Sequence, residues 1–137
     1  MLTSVMTFNF LISNNDAHGK NFSVIHENTI TLAPFYDLVS TQIYPSLDRK
    51  LAMAIGNTYR HDRVNEGAFS DFSKDMKLRT EKVVEMIVQT KQEVEKLYEQ
   101  VLSVHERQYG KSEIYSDLHT VLRKNLARIQ KMTTKLR

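Results

Sequence analysis

The first twelve residues are apolar on nearly every side, with Leu2, Val5, Met6, Phe8, Phe10, Leu11 and Ile12. A helix without a polar face belongs inside a larger body. The run Ser13-Asn14-Asn15-Asp16 stops it, because short polar side chains compete with a helical backbone for its hydrogen bonds. Two β-suited stretches follow at 22–25 and 29–32. The His26-Glu27-Asn28 between them predicts a hairpin with Asn28 at a turn position of positive φ. Pro34 cannot donate to a ladder and ends the second strand. Residues 38–62 read as irregular, broken by Pro45, Gly56 and Asn57, with one short strand at 51–55. From residue 65 the spacing turns helical, first over 65–76, then in a long helix from about Thr80. That helix carries Val83, Ile87, Val94, Leu97, Val101 and Val104 at threes and fours. Gln108-Tyr109-Gly110-Lys111 makes a turn, and Ser112 is the N-cap of a last helix bearing Ile114, Leu118, Val121, Leu122, Leu126, Ile129, Met132 and Leu136. The two long helices are expected to pair as an antiparallel hairpin. The pattern is mainly α, with a small β-hairpin near its start.

Length and composition fit a single globular domain: 137 residues, 41% hydrophobic and 26% charged. The net charge of +3 is too mild to imply a nucleic-acid partner by itself. Absence of cysteine excludes disulfides and thiolate chemistry and suits a reducing cytoplasm. The apolar start carries no basic residue and is too short to span a bilayer, so no membrane role is expected. The tail at 121–137 holds Arg123, Lys124, Arg128, Lys131, Lys135 and Arg137 without an acidic residue. Cations near a helix C-terminus complement its dipole. A solvated face, with Arg128 and Lys131 on the solvent side of Ile129, is preferred to direct nucleic-acid contact.

The chemistry concentrates between residues 14 and 37. Asp16 is followed five residues later by Asn21, and sixteen beyond that by Asp37. Phosphoryl-transfer lobes use such an array: an Asp that orients the attacking hydroxyl, and an Asn and a later Asp that hold magnesium. Magnesium prefers oxygen ligands and shares few protein carboxylates with substrate phosphates, so Asn21 and Asp37 form a suitable sparse pair. The plain alternative is a polar turn at 14–21 with Asp37 as a helix cap. His18 and Lys20 are candidates to reach the transferred phosphoryl group or brace the loop, against the alternative of simple solvation. His26, His61, His105 and His119 have no metal-ligand spacing and read as structural or surface residues.

Three blocks in order, FLISNNDAHGKNFSV, LAPFYDLVST and KLAMAIGNTYR, resemble the C-terminal lobe of the HipA family, bacterial toxin serine/threonine kinases paired with a DNA-binding antitoxin. The resemblance covers residues 1–76 well and the remaining helices more loosely. It implies a kinase C-lobe-like helical domain over 1–137, with the hairpin carrying the metal-site loop and a long helix hairpin at the end. It also implies Asp16 as catalytic base, Asn21 and Asp37 as magnesium ligands, and His18 and Lys20 as catalytic-loop residues. Ser13 stands where the family often has Gly. The loop is similar, too, to the Asp-x-His-x-x-Asn loop of phosphoinositide kinases. The complete kinase would use ATP and magnesium, phosphorylate a protein Ser/Thr, meet an antitoxin and work in the cytoplasm. The family's Gly-rich phosphate-covering loop has no counterpart among glycines 19, 56, 67 and 110. A truncated product, half of a split protein and a fragment all fit; by itself the chain is expected to be inactive, with ATP and magnesium belonging to the complete kinase. An upstream lobe or self-association would cover the apolar surface expected at 1–12 and 44–51. The competing class is a non-catalytic module that engages an antitoxin, a partner chain or nucleic acid.

Overall fold

In the computed structural model, which describes residues 1–136, four helices and two β-hairpins follow in chain order. They are α1 (Leu2–Ile12), β1 (Val24–His26), β2 (Ile30–Leu32), β3 (Lys50–Ile55), β4 (Thr58–Arg60), α2 (Glu66–Asp75), α3 (Thr80–Tyr109) and α4 (Glu113–Lys135). The mainly helical reading holds, and the helix starts agree with the sequence periodicity. Asn65 caps α2 by accepting from the Ala68 N–H at 3.1 Å. Gly110, at φ 82°, ends α3.

α1 packs against both α3 and α4, and this three-helix contact is the centre of the molecule. Phe10, Leu11, Val83, Ile87, Leu122, Leu126, Ile129 and Met132 meet there, and Leu51, Ile55, Val64 and Phe69 close one side. Helix lengths set the limit of this core. At 1.5 Å per residue α1 is about 17 Å long and α3 about 45 Å, so α1 covers less than half of its neighbour. Val83 and Ile87 are therefore fully buried, whereas Leu97, Val101 and Val104 remain about half exposed. The same holds on α4, where Leu126 and Ile129 are buried and Ile114 is not. A groove of about 940 Å³ lies beyond the core, lined by Met1, Phe8, Leu38, Tyr44, Leu97 and Val101 among others. Some of the apolar surface expected at 1–12 and 44–51 thus forms a wall of this groove, and the α3–α4 hairpin forms the opposite wall.

Four local expectations need correction. The segment 50–60 is a second antiparallel hairpin, Lys50 opposite Arg60 and Ile55 opposite Thr58, so Gly56-Asn57 is its turn and not a mere breaker. Asn28 does not adopt positive φ; the bend at 27–29 closes through a Glu27 N–H to Thr29 carbonyl bond of 3.4 Å. Ser112 occupies the N-cap of α4, yet its side chain makes no capping bond. Arg128 points inward, held by the carbonyls of His61 and Val64 at 2.9 and 3.0 Å. Of the other tail cations, Lys135 pairs with Glu66 at 2.7 Å, and Arg137 lies outside the described residues.

Gly56 ties the second hairpin to α2. Its φ is 56°, and a Cβ there would press into the Ala68 carbonyl oxygen and sit 3.0 Å from the Asp71 Cβ. Gly56→Ala is expected to cost roughly 2–3 kcal/mol by urea unfolding, from the left-handed backbone and the clash together. Gly19→Ala meets nothing within 4 Å and should stay within about 0.5 kcal/mol of the parent.

Candidate phosphoryl-transfer site

The site begins where α1 ends. Ser13 takes a left-handed conformation, φ 55° and ψ 47°. Its N–H reaches the Phe10 carbonyl at 3.1 Å, and the Asn14 N–H reaches the Asn9 carbonyl at 2.8 Å. That pair of bonds is the Schellman closure, which satisfies two carbonyls that a helix end otherwise leaves unpaired. The Asn14 side chain then donates to Asn9 Oδ1 at 2.9 Å and to the Asp37 carbonyl at 3.0 Å. A second stitch joins the same two segments. Thr41 Oγ1 accepts from the Asn15 N–H at 2.9 Å and donates to the Ser13 carbonyl at 3.1 Å. From the other side, the Ala52 N–H of β3 donates to the Asn15 carbonyl at 2.7 Å.

These bonds leave Asp16 exposed at the head of the loop, with His18 Nε2 4.0 Å from its Oδ1. Lys20 is exposed and contributes its carbonyl to Tyr36 Oη at 2.9 Å. Asn21 is buried, and its Nδ2 donates to Asp37 Oδ2 at 2.8 Å. The β1–β2 hairpin is the reason residues sixteen apart meet. Its ladder, Val24 opposite Leu32 to His26 opposite Ile30, is extended by an Ala33 N–H to Ser23 carbonyl bond. Phe22 and Phe35, edge-on with centroids 5.9 Å apart, close its base between Asn21 and Asp37. Asp37 itself adopts φ 57°.

The structure therefore brings Asn21 and Asp37 into contact and sets Asp16 and His18 on the loop that carries Asn21. Lys20 joins through its backbone alone. The donor set suits a hard cation that keeps most of its shell: one carboxylate and one carboxamide whose nearly symmetric shape lets a half-turn exchange N–H for Oδ1. Among the described residues no group of three His, Cys, Asp or Glu could cage a metal, so a cation held by Asn21 and Asp37 would complete its shell with water or substrate oxygens.

Sequence reading missed the group that holds the end of α1. His61, 2% exposed, stacks on Phe10 with centroids 4.3 Å apart. Its Nε2–H donates to the Phe10 carbonyl at 2.9 Å, and its Nδ1 faces an Arg128 N–H at 3.2 Å. Asn125 Nδ2 divides its hydrogens among the carbonyls of Phe10 and Leu11 and the Ser13 hydroxyl, at 3.2, 3.0 and 2.8 Å. The Arg128 guanidinium carbon lies 5.1 Å from the Phe10 ring centre. The one sequence signal was an Asn and an Arg on an otherwise apolar helix stripe.

The HipA-like C-terminal domain profile matches residues 1–98. The chain belongs to that family. Among curated relatives, the Y4mE protein of Sinorhizobium fredii, whose kinase name is provisional, is 39% identical over 75 residues, 54% of this chain and 18% of that one. The serine/threonine-protein kinase toxin HipA of Shewanella oneidensis is 43% identical over 53 residues, 38% of this chain and 12% of that protein. A solved complex of Shewanella oneidensis HipA, HipB and operator DNA contains a chain that superposes with TM-score 0.79 at 24% identity, over 94% of this chain and 30% of that one. That likeness establishes the shared fold. The chain thus spans less than a third of the length of these relatives.

Burial pushes the His61 pKa down to about 4, opposed by the Phe10 hydrogen bond and reinforced by the Arg128 charge. The group is neutral when folded and titrates near 6.5 when unfolded. Below pH 6.5 the unfolded chain takes up the proton first, so stability is full above 6.5 and falls as pH drops toward 4. The loss attributable to His61 amounts to about 3 kcal/mol. Urea unfolding between pH 7 and 4 should show a shallower loss in His61→Gln than in the parent, though from a lower starting stability.

Proposed function

We propose that these residues are the catalytic-loop portion of a HipA-like serine/threonine protein kinase. The observation that carries this reading is the 2.8 Å contact between Asn21 and Asp37, made on the loop that begins with exposed Asp16. Asp16 would accept the proton of the attacking Ser or Thr hydroxyl as that oxygen meets the γ-phosphorus of ATP and ADP departs. Asn21 and Asp37 would hold magnesium, which when bound neutralises charge on the transferred phosphoryl group. His18, 4.0 Å from Asp16, would steady that carboxylate, and Lys20 would add positive charge at the loop rim.

Positioning the β- and γ-phosphates is most of the catalysis in this reaction, and a Gly-rich covering loop has no counterpart in these 137 residues. The nucleotide-binding lobe would come from outside them, as would the protein substrate and the antitoxin. The solved HipA relative, whose structure includes HipB and operator DNA, supports the toxin–antitoxin setting. No described helix is long and apolar enough to cross a membrane.

One observation favours a second reading, a non-catalytic binding module: the apolar groove beside α1 is far larger than the cleft lined by Asn21 and Asp37. A phosphotransfer assay separates the two. The 137-residue chain alone should give no turnover of radiolabelled ATP. Combined with the nucleotide-binding lobe of a relative, it should phosphorylate protein, and Asp16→Asn should lower the rate by roughly 10²–10⁴. Asp37→Ala should do so by a similar factor and blunt the response to magnesium. Absence of transfer in the combined protein would favour the binding module.

A further inference from the structure

We propose that Ser13, His61, Asn125 and Arg128 form a latch through which α4 positions the Asp16–Asn21 loop. They are positioning residues, none of them in contact with substrate, and this assignment rests on the kinase reading for its functional part. α4 begins at Glu113, beyond residue 98 where the family match ends, so nothing in that match gives it a role at the site.

The geometry carries the argument. Asp16 is placed by the chain leaving α1, and that chain turns at Ser13, a residue with no exposed surface. The Ser13 hydroxyl accepts from Asn125 Nδ2 at 2.8 Å and lies 3.3 Å from His61 Nε2. Asn125 and His61 hold the Phe10 carbonyl from two directions, at 3.2 and 2.9 Å. Arg128 fixes the imidazole by facing its Nδ1, and anchors the His61 and Val64 carbonyls at 2.9 and 3.0 Å. Every link is buried or partly buried, where an unpaired polar group is costly, so the arrangement has few alternatives. On its far side Ser13 offers its carbonyl to Thr41, at 3.1 Å from the hydroxyl, in the segment that follows Asp37. One residue thus connects α4 to both halves of the site.

A scaffold role predicts that stability and loop order move together, and Ser13→Gly separates them. Glycine adopts the left-handed backbone freely, which offsets the lost hydroxyl bonds in overall stability, yet it cuts the link to Asn125. The 137-residue chain would be compared as parent, Ser13→Gly and Asn125→Leu by amide hydrogen exchange resolved at single residues. The expected result is a thermal midpoint of Ser13→Gly within a few degrees of the parent. Exchange at Asn14, Asn15, Asp16 and Asn21 should be faster by roughly tenfold or more, with the amides of α2 and mid-α3 unchanged. Asn125→Leu should loosen the same loop and also lower the midpoint. Unchanged loop exchange in Ser13→Gly, or acceleration spread evenly over the chain, would overturn the latch. In the kinase assembled with a nucleotide-binding lobe, Ser13→Gly should lower kcat by about tenfold with KM for ATP unchanged. A looser loop with full kcat would overturn the positioning role. No phosphotransfer by the assembled parent would refute the kinase reading instead, and the exchange result would still decide whether the latch holds the loop.

Discussion

A helix end that lies inside a protein must find donors for its last carbonyls, and the rest of this structure depends on how α1 meets that demand. α1 is the shortest of the three packed helices and the most enclosed, so water cannot satisfy its C-terminal turn. Two donors come from the chain itself, the N–H groups of Ser13 and Asn14. The others come from far along the sequence, Asn125 of α4 and His61 after β4. Each of these donors is a commitment of tertiary structure. Asn125 fixes the rotation of α4 about its axis, and the apolar positions Leu122, Leu126 and Ile129 then face the core by helical spacing. His61 fixes the end of the second hairpin, from which Asn65 starts α2.

Ser13 bears the cost of this solution. A left-handed serine is disfavoured relative to glycine by about 1 kcal/mol. Its hydroxyl offsets that cost by joining Asn125 and approaching His61. Without the hydroxyl, Asn125 Nδ2 would keep the Phe10 and Leu11 carbonyls as acceptors but lose its 2.8 Å partner at Ser13, a loss of about the size of the backbone strain relieved.

How far the sequence announced all this depends on the range of each interaction. The Asp16–Asn21 spacing, the hairpin between Asn21 and Asp37, and the helix starts at 65 and 80 are local patterns, and local patterns are written in consecutive residues. The pairing of Asn21 with Asp37 needed only a hairpin of the expected length, though what the pair binds is a matter of the proposal above. The group around Phe10 was illegible because its hydrogen-bonded partners are 48 to 115 residues apart. Nothing near His61 separates a buried histidine from a surface one. Arg128 was assigned to solvent because charge alone said so, whereas the carbonyls of His61 and Val64 made a half-buried site for it. The β3–β4 hairpin was only half legible, as a strand at 51–55: β4 has just three residues, and its turn glycine is required by contact with α2 as well as by its left-handed backbone.

The same length mismatch that leaves α3 half-covered also explains why the core and the Asp16–Asn21 loop lie at one end of the molecule. Full burial of α3 ends at Thr90, and Leu97, Val101 and Val104 beyond it are about half exposed, with Leu97 and Val101 lining the apolar groove. Two helices alone give a thin interface, so stability is concentrated near Phe10, where three helices and the His61 turn converge. Local opening free energies follow contact density, so the far ends of α3 and α4 should open before the α1 junction does. The loop bearing Asp16 thus leaves the most rigid point of the fold, which is where a group that must be held to a fraction of an ångström is best attached.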